Sequence, residues 1–290
     1  MKLGLVLEGG AHRTVFSCGV MDALLDAGIR ADYVIGSSAG ITYGTSYVSG
    51  QKGRNREMLR RYAGDIRYAG LLHWLNPWNR SYYNVRFLFD TIPNKLLSYD
   101  YAALEAFEGE VLAAVTNVHT GRAEYLPVTA EDRKWKVLQA TCSLPLMFHP
   151  VTVDGVLYAD GGIADSVPFE KALEDGCDKL IAVLTRVRDY HKEAESVMNF
   201  AASLQKRKHP EYAKTMLEWH EKYNESMDKL RELEQAGVVY CIVPEDTLGV
   251  GRTDKRIDPL MSLYAQGYAL TMQQMPALRS YLTQSPTEKK

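Results

Sequence analysis

Twice within its first fifty residues the chain runs through the same cycle: a short apolar stretch, a turn of small residues, then apolar positions at helical spacing. The run from Lys2 to Leu7 stops at Glu8-Gly9-Gly10, and from Arg13 to Ala27 the residues Phe16, Val20 and Leu24 recur at helical spacing until Gly28. Tyr33-Val34-Ile35 repeats the apolar run, ends at Gly36, and leads into a second helix expected just after Ser38 and towards Gly50. An apolar run without polar alternation suits a strand covered on both faces, as in a parallel sheet. Strand, helix, strand and helix in that order predict an α/β fold with parallel strands.

Further strands are expected at Val111–Val115, Leu180–Leu184 and Val238–Val243. Residues 151–158 place β-rich runs on either side of Asp154-Gly155, the favoured pair for a two-residue hairpin turn. Residues 67–100 are rich in Trp and Tyr and less regular, with Pro77 and Pro93 as breaks. After Arg186 the chain becomes highly charged with helical spacing, so residues 1–185 are expected as a core and 186–290 as a mainly helical extension packed on it. A last helix is predicted from about Pro259 to Leu282, followed by a frayed polar tail.

Composition narrows the classes. With 46% hydrophobic and 24% charged residues over 290, the chain can bury a core without staples. A formal net charge of -2 gives no basic field for nucleic acid. Cys18, Cys142, Cys177 and Cys241 are widely spaced without a CxxC pair, so buried reduced thiols are expected, with neither a zinc site nor a redox motif. The amino-terminal run does not read as a secretory signal, and no apolar stretch is long enough to span a bilayer. The expectation is a soluble, cytoplasmic protein, with transient contact at a membrane surface left open.

Gly36-Ser37-Ser38-Ala39-Gly40 fits GxSxG, with an apolar strand before it and a helix after it. A serine on such a sharp turn exposes its hydroxyl at the top of the sheet, and Gly36 and Gly40 relieve crowding. The alternative is a small-residue turn needed only for packing. A nucleophile also requires a base and an oxyanion hole. Gly9, Gly10 and Ala11, with Arg13 close behind, form a small-residue loop at the carboxyl end of the first strand, where ligands bind in parallel sheets. A nucleotide-binding turn is disfavoured, because both GxGxxG and GxxxxGK[ST] are missing.

The histidines after Asp160 (His191, His209 and His220) all fall in the charged helical section, where a solvated surface is expected. Asp160 ends the second arm of the hairpin and precedes two glycines, which leave room for another loop. A carboxylate can serve directly as general base when it is held within hydrogen-bond reach of the hydroxyl. Asp154 also precedes a glycine, but the hairpin turn already accounts for it.

In combination, Glu8-Gly9-Gly10-Ala11-His12-Arg13, Gly36-Ser37-Ser38-Ala39-Gly40 and Asp160-Gly161-Gly162 resemble a bacterial patatin-like phospholipase. Ala140-Thr141-Cys142-Ser143-Leu144-Pro145, Phe148-His149-Pro150-Val151 and Asp165-Ser166-Val167-Pro168 extend the resemblance, which covers roughly the first 185 residues. It implies a three-layer α/β/α fold around a mainly parallel central sheet. It also implies hydrolysis of lipid acyl esters by a Ser–Asp dyad, without a metal or other cofactor. It maps the nucleophile to Ser38, the base to Asp160, the oxyanion loop to Gly9, Gly10 and Ala11, and the loop's arginine to Arg13. Two positions depart from the family pattern: Ala11 stands where a third glycine is usual, and Thr14 where glycine is frequent. If position 11 requires positive φ, alanine there costs on the order of 1 kcal/mol.

Other functions stay open on the same residues: an acyltransferase or thioesterase, or a non-catalytic lipid- or protein-binding relative. The stretch from Leu71 through Trp74 and Trp78 to Phe89 either lines an acyl channel, meets a membrane, or packs as satellite core, the last being favoured. Lys206-Arg207-Lys208 is expected as a solvated helix face.

Overall fold

The structure is a computed structural model that describes residues 1–76, 79 and 81–284. Pro77 and Trp78 of the aromatic stretch, and residues 285–290 of the polar tail, lie outside the described residues. One sheet is built from β1 (Leu3–Leu7), β2 (Tyr33–Ser37), β3 (Glu110–Asn117), β4 (Ala123–Pro127), β5 (Val151–Val153), β6 (Val156–Asp160), β7 (Lys179–Val183) and β8 (Val239–Ile242). Its order is β5-β6-β3-β2-β1-β7-β8, and β4 pairs with β3 beside that path. The run β3-β2-β1-β7-β8 is parallel throughout. β4 and the β5–β6 hairpin join antiparallel at β3.

Every residue of β1, β2 and β7 is buried, which explains the unbroken apolar runs: side chains alternate between two covered faces. Leu5 and Leu7 join one core cluster with Phe16, Ile41 and Leu260, from the helices Val15–Asp26, Ala39–Val48 and Ile257–Thr283. Val6 joins another with Phe169, Tyr223 and Met227, from the helices Phe169–Glu174 and Trp219–Gln235. Helices on both faces of a mainly parallel sheet give the expected three-layer α/β/α architecture.

Residues from 186 on supply helices and also β8, which pairs with β7. Their last helix lies against the first. A Cβ at Gly19 would fall 2.0 Å from the Tyr264 carbonyl oxygen, and one at Gly267 would fall 2.2 Å from that of Phe16. Only glycine permits this backbone contact. Tyr264 adds a hydroxyl hydrogen bond to Asp22 at 2.6 Å.

Several local expectations change. The helix expected from Arg13 opens as a 3-10 turn, Ala11–Thr14, before the α-helix starts at Val15. Strand β4 has no counterpart in the sequence reading. It is partly exposed, contains Glu124 and ends in Pro127, so it lacks the apolar signal of the central strands. Pro93, expected as a break, lies inside a wide π-type helix, Phe87–Leu96. Such a helix does not depend on the i to i−4 ladder that proline interrupts.

Candidate active site

Sheet register brings the two principal side chains together. Ser37 at the end of β2 is opposite Ala114 on β3, and Asp160 at the end of β6 is opposite Val115, the next residue of β3. Ser38, immediately after β2, has φ 50° and ψ −132°. A side chain held in so sparsely populated a region costs about 1–3 kcal/mol, which surrounding contacts must offset. Ser38 N–H donates to Thr141 Oγ1 at 2.8 Å, Thr141 in turn donates to the Ala114 carbonyl, and Thr42 donates to the Ser38 carbonyl at 3.0 Å. The elbow presses against the end of β1: a Cβ on Gly36 or Gly40 would fall 2.7 or 2.6 Å from the Leu7 carbonyl oxygen. In this conformation Ser38 Oγ donates to Asp160 Oδ2 at 2.8 Å.

Asp160 is buried, and its other oxygen accepts the Gly162 N–H at 2.9 Å. Burial pushes its pKa up to about 6, against the lowering effects of the Ser38 hydroxyl, the Gly162 N–H and the charges of Arg252 and Lys192. The three downstream histidines lie elsewhere. His191 meets Asn224, and His220 lies 3.9 Å from Glu221. His209 is not solvated as expected but buried, its ring edge-on to His119, at the junction where the helices Ser196–Gln205 and Pro210–Leu217 fold together.

The loop after β1 uses its N–H groups unequally. Gly9 N–H donates to Ser37 Oγ at 3.1 Å, and Ser37 Oγ donates to the Ser166 carbonyl at 2.9 Å. Among the described residues, the N–H groups of Gly10 and Ala11 meet no acceptor. Ala11 has φ 49°, so the position does require the left-handed conformation that glycine usually supplies. Among the described residues, the His12 ring makes no hydrogen bond to Ser38 or Asp160. Its Nδ1 lies 2.5 Å from the Asp254 carbonyl oxygen, which fixes the proton on Nδ1 and leaves Nε2 bare, between Tyr68 and Tyr83. Arg13 is buried with Nε unpaired, and burial beside Arg186 lowers its pKa to about 10.

A cavity of about 180 Å³ joins Ser38, Asp160 and the Gly9–Arg13 loop. Leu88, Phe89, Ile92, Trp135 and Leu138 supply an apolar lining; Arg13, Arg54, Arg186, Lys192 and Arg252 supply a cationic one. The aromatic stretch therefore divides, where satellite core was expected throughout. Phe87 packs in the core, Leu88 and Phe89 line the cavity, and Leu71, Leu72 and Trp74 are 70%, 77% and 45% exposed. Lys206, Arg207 and Lys208 are solvated as expected, but in the turn that follows the helix Ser196–Gln205 and not on a helix face. All four cysteines are buried free thiols. Among the described residues no helix is long and apolar enough to cross a membrane.

Sequence reasoning assigned no role to Ser37 or Thr141, although both lie within quoted motifs. Lys192, Trp219 and Arg252 carried no signal, because only the packing of the charged section against the core brings them to the cavity.

An α/β/α fold with a serine elbow facing an aspartate defines a class, and comparison with known families names it. Residues 5–173 match the patatin-like phospholipase model, and the chain belongs to that family. Residues 209–283 match a domain of unknown function, DUF6363. The uncharacterized protein YjjU of Escherichia coli (strain K12) is 25% identical over 190 residues, 63% of this chain and 52% of that protein. Lysophospholipase nte1 of Aspergillus niger is 28% identical over 186 residues, 63% of this chain and 12% of that protein. The chain thus spans about half of the one relative and about an eighth of the other. The crystal structure of VipD from Legionella pneumophila overlaps 95% of this chain and 67% of that chain, at 14% identity and a TM-score of 0.45.

Proposed function

We propose that this chain is a serine acyl-hydrolase of lipid esters, with Ser38 as nucleophile and Asp160 as general base. The 2.8 Å hydrogen bond from Ser38 Oγ to Asp160 Oδ2, at a cavity with an apolar lining, carries this reading. Asp160 takes the hydroxyl proton as Ser38 Oγ attacks the ester carbonyl. The N–H groups of Gly10 and Ala11 receive the oxyanion, while Gly9 braces the loop through Ser37. The tetrahedral intermediate collapses, the leaving alcohol takes the proton from Asp160, and an acyl group remains on Ser38. Water, deprotonated by Asp160, then attacks the acyl-enzyme; as the carboxylic acid leaves, Asp160 returns the proton to Ser38 Oγ. The acyl chain occupies the lining of Leu88, Phe89, Ile92 and Leu138. Membership of the patatin-like phospholipase family and the printed activity of the Aspergillus relative support lipid esters as the substrate class.

The test is ester hydrolysis together with labelling of Ser38 by a fluorophosphonate probe. Ser38→Ala is expected to lose both while remaining folded. A wild-type protein that neither turns over lipid esters nor takes the probe would leave a binding protein on this fold.

A further inference from the structure

Five cations, Arg13, Arg54, Arg186, Lys192 and Arg252, and two carboxylates, Glu8 and Asp160, line the cavity, and their pairing is uneven. Arg54 donates to the Leu97 carbonyl at 2.9 Å. Arg252 makes a bidentate pair with Glu195 at 2.6 and 2.7 Å. Glu8 accepts the Tyr223 hydroxyl at 3.0 Å and the Thr185 N–H, and Asp160 accepts Ser38 and Gly162. Among the described residues, Arg13, Arg186 and Lys192 make no ion pair and no side-chain hydrogen bond. Arg13 is 7% exposed and Lys192 6% exposed.

Aromatic faces hold two of these cations, Arg186 and Lys192, where a carboxylate ordinarily would. Lys192 Nζ stands 3.7 Å from the Trp219 ring centroid and 4.7 Å from that of Tyr223, and Arg186 lies 4.2 Å over Tyr190. Such contacts fix an ammonium or guanidinium without neutralising it. Burial, with Arg252 and Arg186 nearby, lowers the Lys192 pKa to about 8 against the opposing pull of Glu195 and Glu8. Buried cations without partners disfavour the empty protein, and an incoming anion offsets that penalty. Guanidinium forks with an ammonium at one wall suit a phosphate or carboxylate.

We propose that Arg13, Arg186 and Lys192 form a subsite for an anionic group, phosphate or carboxylate, carried by the substrate ester itself. The subsite rests on the reading of Ser38 and Asp160 as the hydrolytic pair, and it narrows the substrate to acyl esters bearing such a group near the scissile carbonyl. Arg186 and Lys192 lie beyond residues 5–173, so the later part of the chain supplies most of this selectivity.

The experiment compares kcat/KM on a 1-acylglycerol 3-phosphate and on the 1-monoacylglycerol with the same acyl chain. The wild-type protein should prefer the phosphate ester about tenfold or more, and Lys192→Met should lower that preference about tenfold, with partial recovery in Lys192→Arg. Lys192→Met should also match or exceed the wild-type midpoint temperature, because it removes a buried unpaired charge. A preference near one in the wild-type protein would overturn the proposal. So would equal losses on both esters in Lys192→Met, which would reduce Lys192 to an electrostatic neighbour of Asp160. Inorganic phosphate that inhibits both esters while the wild-type protein prefers neither would assign the cations to free phosphate, also against the proposal. Titrating Ser38→Ala with both lipids separates the two readings. Selective binding without wild-type turnover keeps the subsite and removes the hydrolase, whereas turnover with non-selective binding does the reverse.

Discussion

Ser38 and Asp160 stand 122 residues apart in the chain and 2.8 Å apart at their side-chain oxygens, because each lies at the end of a strand that pairs with β3. The pairing places a buried carboxylate directly on a hydroxyl, with no imidazole between them. The chemistry then depends on the ionisation of that carboxylate.

Asp160 must be ionised to accept the Ser38 proton, and burial raises its pKa to about 6. Hydrolysis is therefore expected to rise with pH through about 6, as one proton leaves, and to level off above it. A kcat/KM profile at constant ionic strength checks this. An inflection near 4 would mean that the carboxylate does not feel its burial.

The same burial has a stability consequence of opposite sense. A carboxyl whose folded-state pKa exceeds its unfolded value contributes stability at low pH, fully present below about 4, and loses it as pH rises through about 6. An amide in its place carries no charge at any pH. Asp160→Asn should be inactive yet more stable than the wild-type protein at pH 8, by about 1–3 kcal/mol, with the gap nearly closed at pH 4. Urea unfolding at pH 8, 6 and 4 measures it, and a variant less stable at every pH would contradict the assignment.

Ala11 occupies φ 49° on the loop proposed to hold the oxyanion. Ala11→Gly should relieve that strain and stabilise the protein by a few tenths to about 1 kcal/mol, the gain being limited by the greater freedom of glycine in the unfolded chain. Since the N–H remains, kcat should stay far from the roughly 100- to 1,000-fold loss that follows removal of an oxyanion donor. Thermal unfolding and ester kinetics on the same preparation read both effects. A loss of that size would show that the alanine methyl group itself shapes the hole.

What the sequence made visible was local. β1 and β2 were readable because burial on both faces removes polar alternation, and the Asp154-Gly155 hairpin because its turn needs those residues, at φ 47° and 82°. Ser38 and Asp160 could be picked out because glycines mark the backbones that must pass close to other chain segments. What stayed hidden depends on distant pairing. β4 takes its place only through β3. The Gly9 N–H, grouped with the oxyanion donors, is taken by Ser37, one strand away. His209, in a charged stretch, is covered by a helix junction that composition does not announce. Lys192 and Arg252 look like surface charge until the charged section folds back over the cavity.

The glycine contact between the helices Val15–Asp26 and Ile257–Thr283 has a consequence for how the protein is made. The helix that follows the loop after β1 carries Gly19, and its partner Gly267 is translated long after Ser38. At about 5–20 residues per second, a ribosome takes roughly 10 to 50 s to travel from Ser38 to Gly267. Throughout that interval the nascent chain carries its serine without the helix that packs against Val15–Asp26. On the proposed function, a centre assembled this way is expected to stay silent during synthesis and to switch on only after that distant helix has emerged from the tunnel and docked.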